Sequence, residues 1–367
     1  MTCCGQWRIA VDAETAEKWR DMHFPQGSTD GKTLLSRQIV PEQDSEEGHI
    51  CLKENKMCPF LNKQKLCNLV LTYGEDSLSH TCHIFPRIEN AFADQTEYAL
   101  MAGCPAVLDL MNQGRLISFT EQESEERQEI QENDTCVTTR ELRTLRRCFI
   151  ELLQNPEYSI EEALLAGFFV LLEYREEKQK FPGISFSREK QNLEKCVKAI
   201  RRMQFSAADT FQEDNELWLD LAVNYREEGY YTDLLAPLQE RAEQMEGIAA
   251  AGYLPQWEKF LKEVLPQYDM LLRNILASEL FAGLFRMESS LEDALIAFEW
   301  LTMEYSFMRF GMFLSQTCRY EAVREIIAVT MRMTGYDDED IVEYLDQSFD
   351  SRIWEWGYMA MLLGKTS

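Results

Sequence analysis

The sequence predicts a mainly α fold in which an irregular cysteine-rich metal-binding N-terminal domain packs on an all-α helical C-terminal domain. Three observations predict it. Apolar residues recur at helical spacing through most of residues 141–367, all four histidines stand in the first third, and an acidic stretch poor in apolar side chains lies between. The expected boundaries are residues 1–117 for the cysteine-rich domain, 118–140 for an acidic linker and 141–367 for the helical domain.

Composition sets the outer limits. A chain of 367 residues with 45% apolar and 11% aromatic side chains can bury a substantial core. The first twenty residues carry Arg8, Asp12, Glu14, Glu17, Lys18 and Arg20 and no apolar targeting segment, and the longest apolar run, residues 163–172, is about half of a bilayer span. A cytoplasmic protein with no membrane association is expected. A net charge of -26 argues against a nucleic-acid partner, since phosphate binding needs a basic footprint. Acidity could steer a lysine-bearing substrate, although a solvated acidic surface is the plainer account.

The chain opens on CCGQWRIAVD, where Trp7, Ile9 and Val11 alternate with polar or small residues as in a short strand. Asp12 then caps a helix over DAETAEKWRDM, which stops near His23 and Pro25. From Gln26 to His49 the pattern is loop or weak hairpin, and Ile50 and Leu52 alternate ahead of a polar turn. Residues 58–87 concentrate soft ligands: Cys58, Cys67 and Cys82, with His80 and His83 beside the last. Cys104 follows, Cys3 and Cys4 precede, and six thiols meet if the N-terminal third folds back on itself. Cysteine and histidine at such density in a reducing compartment point to zinc or an iron-sulfur cluster rather than to disulfides. Gaps of eight, fourteen and twenty-one residues between Cys58, Cys67, Cys82 and Cys104 match neither a zinc finger nor a bacterial ferredoxin.

After Arg87, the segment AFADQTEYALMAGCPAVLDLM reads as helical on either side of Gly103, with Pro105 in a first turn. Residues 118–140 form the acidic linker. Beyond them ELRTLRRCFIELLQ, SIEEALLAGFFVLLEY and EKQNLEKCVKAIRRM read as helices, with Ser159 and Glu162 as a capping box. ELWLDLAVNYREE, DLLAPLQERAEQM, the long segments around Trp257, Leu276 and Phe307, YEAVREIIAVTMRM and a C-terminal stretch continue the pattern. Pro156, Pro182 and Pro255 are placed at or between helices, Pro237 and Pro266 in first turns or kinks. The set Trp300, Tyr305, Phe307, Phe310 and Phe313 could line a lysine channel, but its helical spacing favours core packing. Cys136, Cys148, Cys196 and Cys318 read as bystander thiols.

Absences narrow the chemistry. No two glycines stand two residues apart, which removes the Rossmann fingerprint and the phosphate loop. No cysteine triad has the spacing that a radical enzyme uses to hold a cluster by three irons.

The order CCGQW, CPFL, LC, LSHTCHIFPR and GCP resembles the flagellin lysine-N-methylases, and YDMLLRNILASELFAGLF and EYSFMRFGMFL extend that resemblance over the second half. It implies a protein-lysine N-methyltransferase that carries methyl groups from S-adenosylmethionine to lysines of flagellin or a similar surface protein. It also implies an N-terminal part that chelates iron or zinc, with an iron-sulfur cluster as the proposed form. The thiols that correspond to the family's ligands are Cys3, Cys4, Cys58, Cys67, Cys82 and Cys104; Cys51 is outside the pattern and is expected to be a structural strand residue. Relatives carry further cysteines upstream of the CC pair. The competing function is a non-enzymatic metal-binding or redox-responsive interaction module. For catalysis, polar displacement at the sulfonium methyl is expected, in a cleft between the two domains, with a tyrosine, a carboxylate or water taking the proton and the metal in a structural role.

Overall fold

The structure is a computed structural model and describes residues 4–25, 33–42, 47–92, 95–121, 139–180, 189–203, 206–247, 250–284, 290–335, 341–345 and 356–364. It is mainly helical. The chain divides into two compact units, residues 1–87 with 224–233, and residues 88–223 with 234–367. Residues 88–117, expected with the cysteine-rich domain, fall in the second unit, and most of the expected linker lies outside the described residues.

The first unit is built on short elements. β1 (Ala10–Val11) pairs antiparallel with β3 (Gly48–Ile50), which pairs in turn with β2 (Ile39–Pro41). Register places Ile39 opposite Ile50 and Pro41 opposite Gly48, so the weak hairpin forms. Gly48 is required there, because a Cβ would lie 2.5 Å from the carbonyl oxygen of Val40. α1 (Ala13–Trp19) starts at Asp12, whose carboxylate accepts the backbone N–H of Thr15 at 2.8 Å. Its last residue, Trp19, is fully buried, donates from Nε1 to Ser77 O at 2.9 Å and meets Phe60 edge-on at 5.4 Å. Ile9, Val11, Phe24, Leu35, Ile50 and Leu69 complete this core. Two further short helices, α2 (Asn68–Tyr73) and α3 (His80–Ile84), follow the thiol-rich loop.

The second unit opens with the hairpin of β4 (Arg87–Ala91) and β5 (Thr96–Leu100). This corrects the helical reading of TEYAL. In β5 the buried position is Glu97, which forms a bidentate ion pair with Arg146 at 2.6 and 2.8 Å, while Tyr98 faces solvent. A carboxylate in the inward slot and an aromatic in the outward one invert the usual strand pattern. α4 (Pro105–Met111) starts on proline as expected. The helices that follow are α5 (Thr139–Gln154), α6 (Ile160–Lys180), α7 (Glu189–Ile200), α8 (Ala207–Glu227), α9 (Thr232–Glu243) and α10 (Ala250–Lys259). After them come α11 (Asp269–Gly283), α12 (Leu291–Leu314), α13 (Tyr320–Met333) and α14 (Trp356–Leu362). The Ser159–Glu162 capping box closes in both directions. Pro255 lies inside α10 rather than between helices, and the chain passes from there through a π turn and a 3-10 turn into α11.

α12 is the axis of this unit. Its side chains from Phe298 to Leu314 are buried all round, so Trp300, Tyr305, Phe307, Phe310 and Phe313 are core, with Phe310 and Phe313 packed against Trp257 at 5.5 and 5.0 Å. Gly167 on α6 lets α12 approach, since a Cβ there would lie 2.5 Å from Phe298 Cζ. Buried Asn274 on α11 donates to the carbonyls of Met111 and Arg115 at 2.8 Å and accepts Ile117 N–H at 2.9 Å, which ties down the chain after α4. Among the described residues no helix is long and apolar enough to cross a membrane.

Candidate functional site

Four of the six expected ligands lie in the first unit, in or against one apolar cluster. Cys4, Cys58, Cys67 and Cys82 stand on four chain segments, and all pack against the cluster of Ile9, Val11, Trp19, Phe60 and Leu69. Local hydrogen bonding sets each one. Cys58 N–H donates to Cys4 O at 2.8 Å, and Cys67 is bridged to Leu61 just ahead of α2. Cys82 sits in the first turn of α3, its N–H directed at Ser79 Oγ at 3.3 Å. Cys3 lies outside the described residues, and Cys104, immediately before α4, belongs to the second unit. Cys51 is exposed just past β3, so it is not the apolar strand residue expected. His23, His80 and His83 are exposed.

The donor set suits a soft metal. Burial pushes the Cys58 thiol up to about 12; Phe60 N–H opposes this, and the neighbouring Cys82 and Cys67 thiols push the same way as burial. Cys67 and Cys82 thus lie near enough to act on Cys58, Lys53 pulls the other way, and a bound cation would favour the thiolate form. Among the described residues no three histidine, cysteine or acidic side chains are closed into a metal-holding group. Ligation therefore requires the sulfurs to draw in from these positions.

The second unit holds buried ionisable groups along α12. Glu299, Thr302, Ser306 and Arg309 recur at three and four residue spacing and share one face. Arg309, 1% exposed, donates to Asp214 Oδ2 at 2.6 Å and to Leu362 O at 2.9 Å, and lies 3.6 Å from Glu161. Ser306 Oγ bonds the other oxygen of Asp214, and Tyr305 donates to Glu161 at 2.5 Å. Burial pushes Asp214 up to about 6 against the pull of Arg309 and Ser306. Arg309, despite burial, is held charged by Asp214, Tyr305 and Glu161. The pair is ionic at neutral pH, because about 6 still lies below neutrality.

Glu299 differs. It is 0% exposed, neither carboxyl oxygen has a hydrogen-bond partner among the described residues, and burial pushes it up to about 9, so it carries a proton at neutral pH. Glu304, next along the helix, accepts Thr334 Oγ1 at 2.7 Å and is raised by burial and then by Glu279. Sequence reasoning missed these groups. Their signal was present: Glu299, Glu304 and Arg309 are charges inside a run, EWLTMEYSFMRFGMFL, that is otherwise apolar or neutral. A polar cleft of about 610 Å³ lies between the α5–α6 turn and the start of α11, but its arginines are already engaged. Arg201 pairs with Glu162 at 3.0 Å, and Arg273 with Asp269 at 2.7 Å and the carbonyl of Tyr158 at 2.6 Å.

Comparison with known proteins adds a family. Residues 146–362 match the model of the FliB lysine N-methylase C-terminal domain. A lysine-N-methylase of Salmonella typhimurium is 31% identical over 108 residues, covering 29% of this chain and 26% of that protein, and one of Salmonella choleraesuis matches to the same extent. The flagellar biosynthetic protein FliU of Salmonella muenchen is 29% identical over 142 residues, 35% of this chain and 76% of that protein. The chain thus spans about a quarter of the length of the curated lysine-N-methylases it matches. No solved structure matches.

Proposed function

We propose, from the premise that the chain belongs to the FliB lysine N-methylase family, that it methylates lysine side chains of flagellin or a similar flagellar protein with S-adenosylmethionine as donor. One observation carries the reading: the stretch that matches the family contains α12, whose buried acid Glu299 has no hydrogen-bond partner among the described residues. Unsatisfied buried carboxyls are costly and concentrate where proton transfer is needed.

The chemistry asks little of the protein beyond placement and proton management. A lysine enters as an ammonium and must lose a proton before its nitrogen can attack. In a dry site a carboxylate and an ammonium pass into a neutral acid and a neutral amine, because each charged form loses hydration. Glu299 can take that proton only in its ionised form, which a value of about 9 makes a minor form at neutral pH and a populated one as pH rises; Tyr305 and Glu161, hydrogen-bonded at 2.5 Å, are a second phenol–carboxyl pair on the same helix and its neighbour. The amine nitrogen then bonds to the methyl carbon as the carbon–sulfur bond breaks, and the sulfonium leaves as a neutral thioether.

Cys4, Cys58, Cys67 and Cys82 of the first unit are the residues that would hold an iron-sulfur cluster or zinc. Such a centre would supply structural closure of the first unit and, as a cluster, an electron. The test uses the metal-loaded full chain with flagellin and S-adenosylmethionine, with and without a strong reductant. Mass gain on flagellin lysines with S-adenosylhomocysteine as coproduct is expected in both arms. Flagellin that stays unmodified in both arms, and in the host with and without the gene, overturns the assignment. Methylation that needs the reductant and releases 5′-deoxyadenosine replaces polar displacement with reductive cleavage.

A further inference from the structure

In the first unit the segments that carry Cys4 and Cys58 run side by side. Cys58 N–H donates to Cys4 O at 2.8 Å, Gln6 N–H donates to Lys56 O at 2.7 Å, and Gly5 bridges to Met57. Both segments dock on one turn. Lys56 Nζ donates to Glu228 O at 2.7 Å and stands 4.4 Å over the face of Tyr230, while Gln6 Oε1 accepts Tyr231 N–H at 2.8 Å. Gln6 also donates from Nε2 to Asn55 O at 3.1 Å, which closes the contact. That turn belongs to residues 224–233, a piece of chain that interrupts the sequence of the second unit.

Backbone conformation marks the contact as over-determined. Among the described residues five non-glycine positions have positive φ, and three of them meet here: Gln6 at 68°, Lys56 at 58° and Tyr231 at 49°. A fourth, Lys65 at 61°, lies in the loop between Cys58 and Cys67. Left-handed backbone at side-chain-bearing residues is unfavourable and persists where surrounding contacts impose it, which happens most at functional sites. Ordinary loop packing gives no reason to concentrate such residues around two thiols.

We propose that Lys56 and Gln6, docked on the turn at residues 228–231, are positioning residues for the thiol centre, fixing Cys4 and Cys58 relative to one another before a metal binds. This rests on the reading of the clustered thiols as metal ligands. Lys56→Met keeps the apolar stem and removes the charged donor, Tyr230→Leu removes the ring face and keeps the bond to Glu228 O, and Lys56→Arg restores charge and donor. The full chain is prepared anaerobically, its iron and zinc are measured, and metal loss to a chelator is timed. In parallel, metal-free protein is alkylated and Cys4 and Cys58 are followed by peptide mass spectrometry, with exposed Cys318 as reference.

Loss of a charge-assisted hydrogen bond predicts about tenfold faster metal loss for Lys56→Met, faster alkylation of Cys4 and Cys58, an unchanged Cys318 rate and partial recovery with Lys56→Arg. Unchanged chelator half-life and unchanged Cys4 and Cys58 alkylation, in both Lys56→Met and Tyr230→Leu, overturn the proposal. Wild-type protein that takes up no metal overturns the ligand reading, and the alkylation rates then still decide whether the turn orders the two segments. Circular dichroism identifies a variant that has failed to fold, in which case Tyr230→Leu alone carries the comparison.

Discussion

Oδ2 of Asp12 accepts the backbone N–H of His80 at 2.9 Å, so the carboxylate that caps α1 also fixes the start of α3, the helix that bears Cys82. One side chain thereby joins two elements 68 residues apart in sequence. Burial works against its charge, but the N–H groups of His80 and Thr15 and the Thr15 hydroxyl outweigh that, and the carboxyl titrates below its ordinary value. A depressed folded-state value stabilises the fold above the ordinary carboxylate range, and that stability is lost as pH falls through the folded value. Asp12→Ala should cost about 1–2 kcal/mol at neutral pH. Urea unfolding should show the gap between wild type and variant closing in acid, and a gap that is constant with pH would mean the charge is not what holds α3.

The thiols make a separate prediction. Cys67→Ser should lose bound metal and lower the unfolding midpoint, because ligand energy is folding energy in a small thiol-rich unit. Cys318, exposed and away from the cluster, should tolerate serine on both counts. Equal metal content in the two variants would remove Cys67 from the ligand set.

What the sequence revealed and what it hid follow from how each element is stabilised. The cap at Asp12, the Ser159–Glu162 box, the proline start of α4 and the buried stripe of α12 depend on residues close in sequence, and all were legible. No spacing rule in the sequence says which thiols share a neighbourhood, and the packing of Cys4, Cys67 and Cys82 against the cluster that holds Cys58 depends on the fold of four separate segments. β5 was hidden because its inward residue is Glu97, neutralised by Arg146 49 residues away. The turn at 228–231 was hidden because what it holds, Gln6 and Lys56, lies 172 or more residues away in sequence. A charge reads as surface until its distant surroundings are known.

Arg309 is the only counter-charge within salt-bridge reach of Asp214 among the described residues, and it also faces Glu161. Arg309→Met therefore leaves a fully buried carboxylate uncompensated and should cost about 3–5 kcal/mol. The acid side has its own signature. With Asp214 at about 6 when folded and 3.8 ordinarily, the folded state holds a proton that the unfolded state has released, so stability falls as pH rises through that interval. Asp214→Asn should flatten the slope in denaturant midpoints measured across it. An unaltered slope would assign the titration to another group.

Glu299 separates stability from catalysis. Its value of about 9, against an ordinary 4.5, means that folding must keep a proton on a group that ionises freely when unfolded, and stability declines as pH rises from the lower value through the higher. Glu299→Gln cannot ionise and retains the shape, so it should gain on the order of 1–3 kcal/mol near neutral pH and lose the alkaline decline in melting temperature. A carboxyl that serves only as packing would give that gain and leave methyl transfer untouched. If Glu299 takes the lysine proton, the same variant should melt higher and methylate at least about a hundredfold more slowly, in line with the loss of a positioned base. The loss should be smaller at high pH, where more of the substrate amine arrives deprotonated. Full activity in a stabilised Glu299→Gln protein would move the proton acceptor to the Tyr305–Glu161 pair, and Tyr305→Phe, which keeps the ring in the core, would then be the variant that slows the reaction.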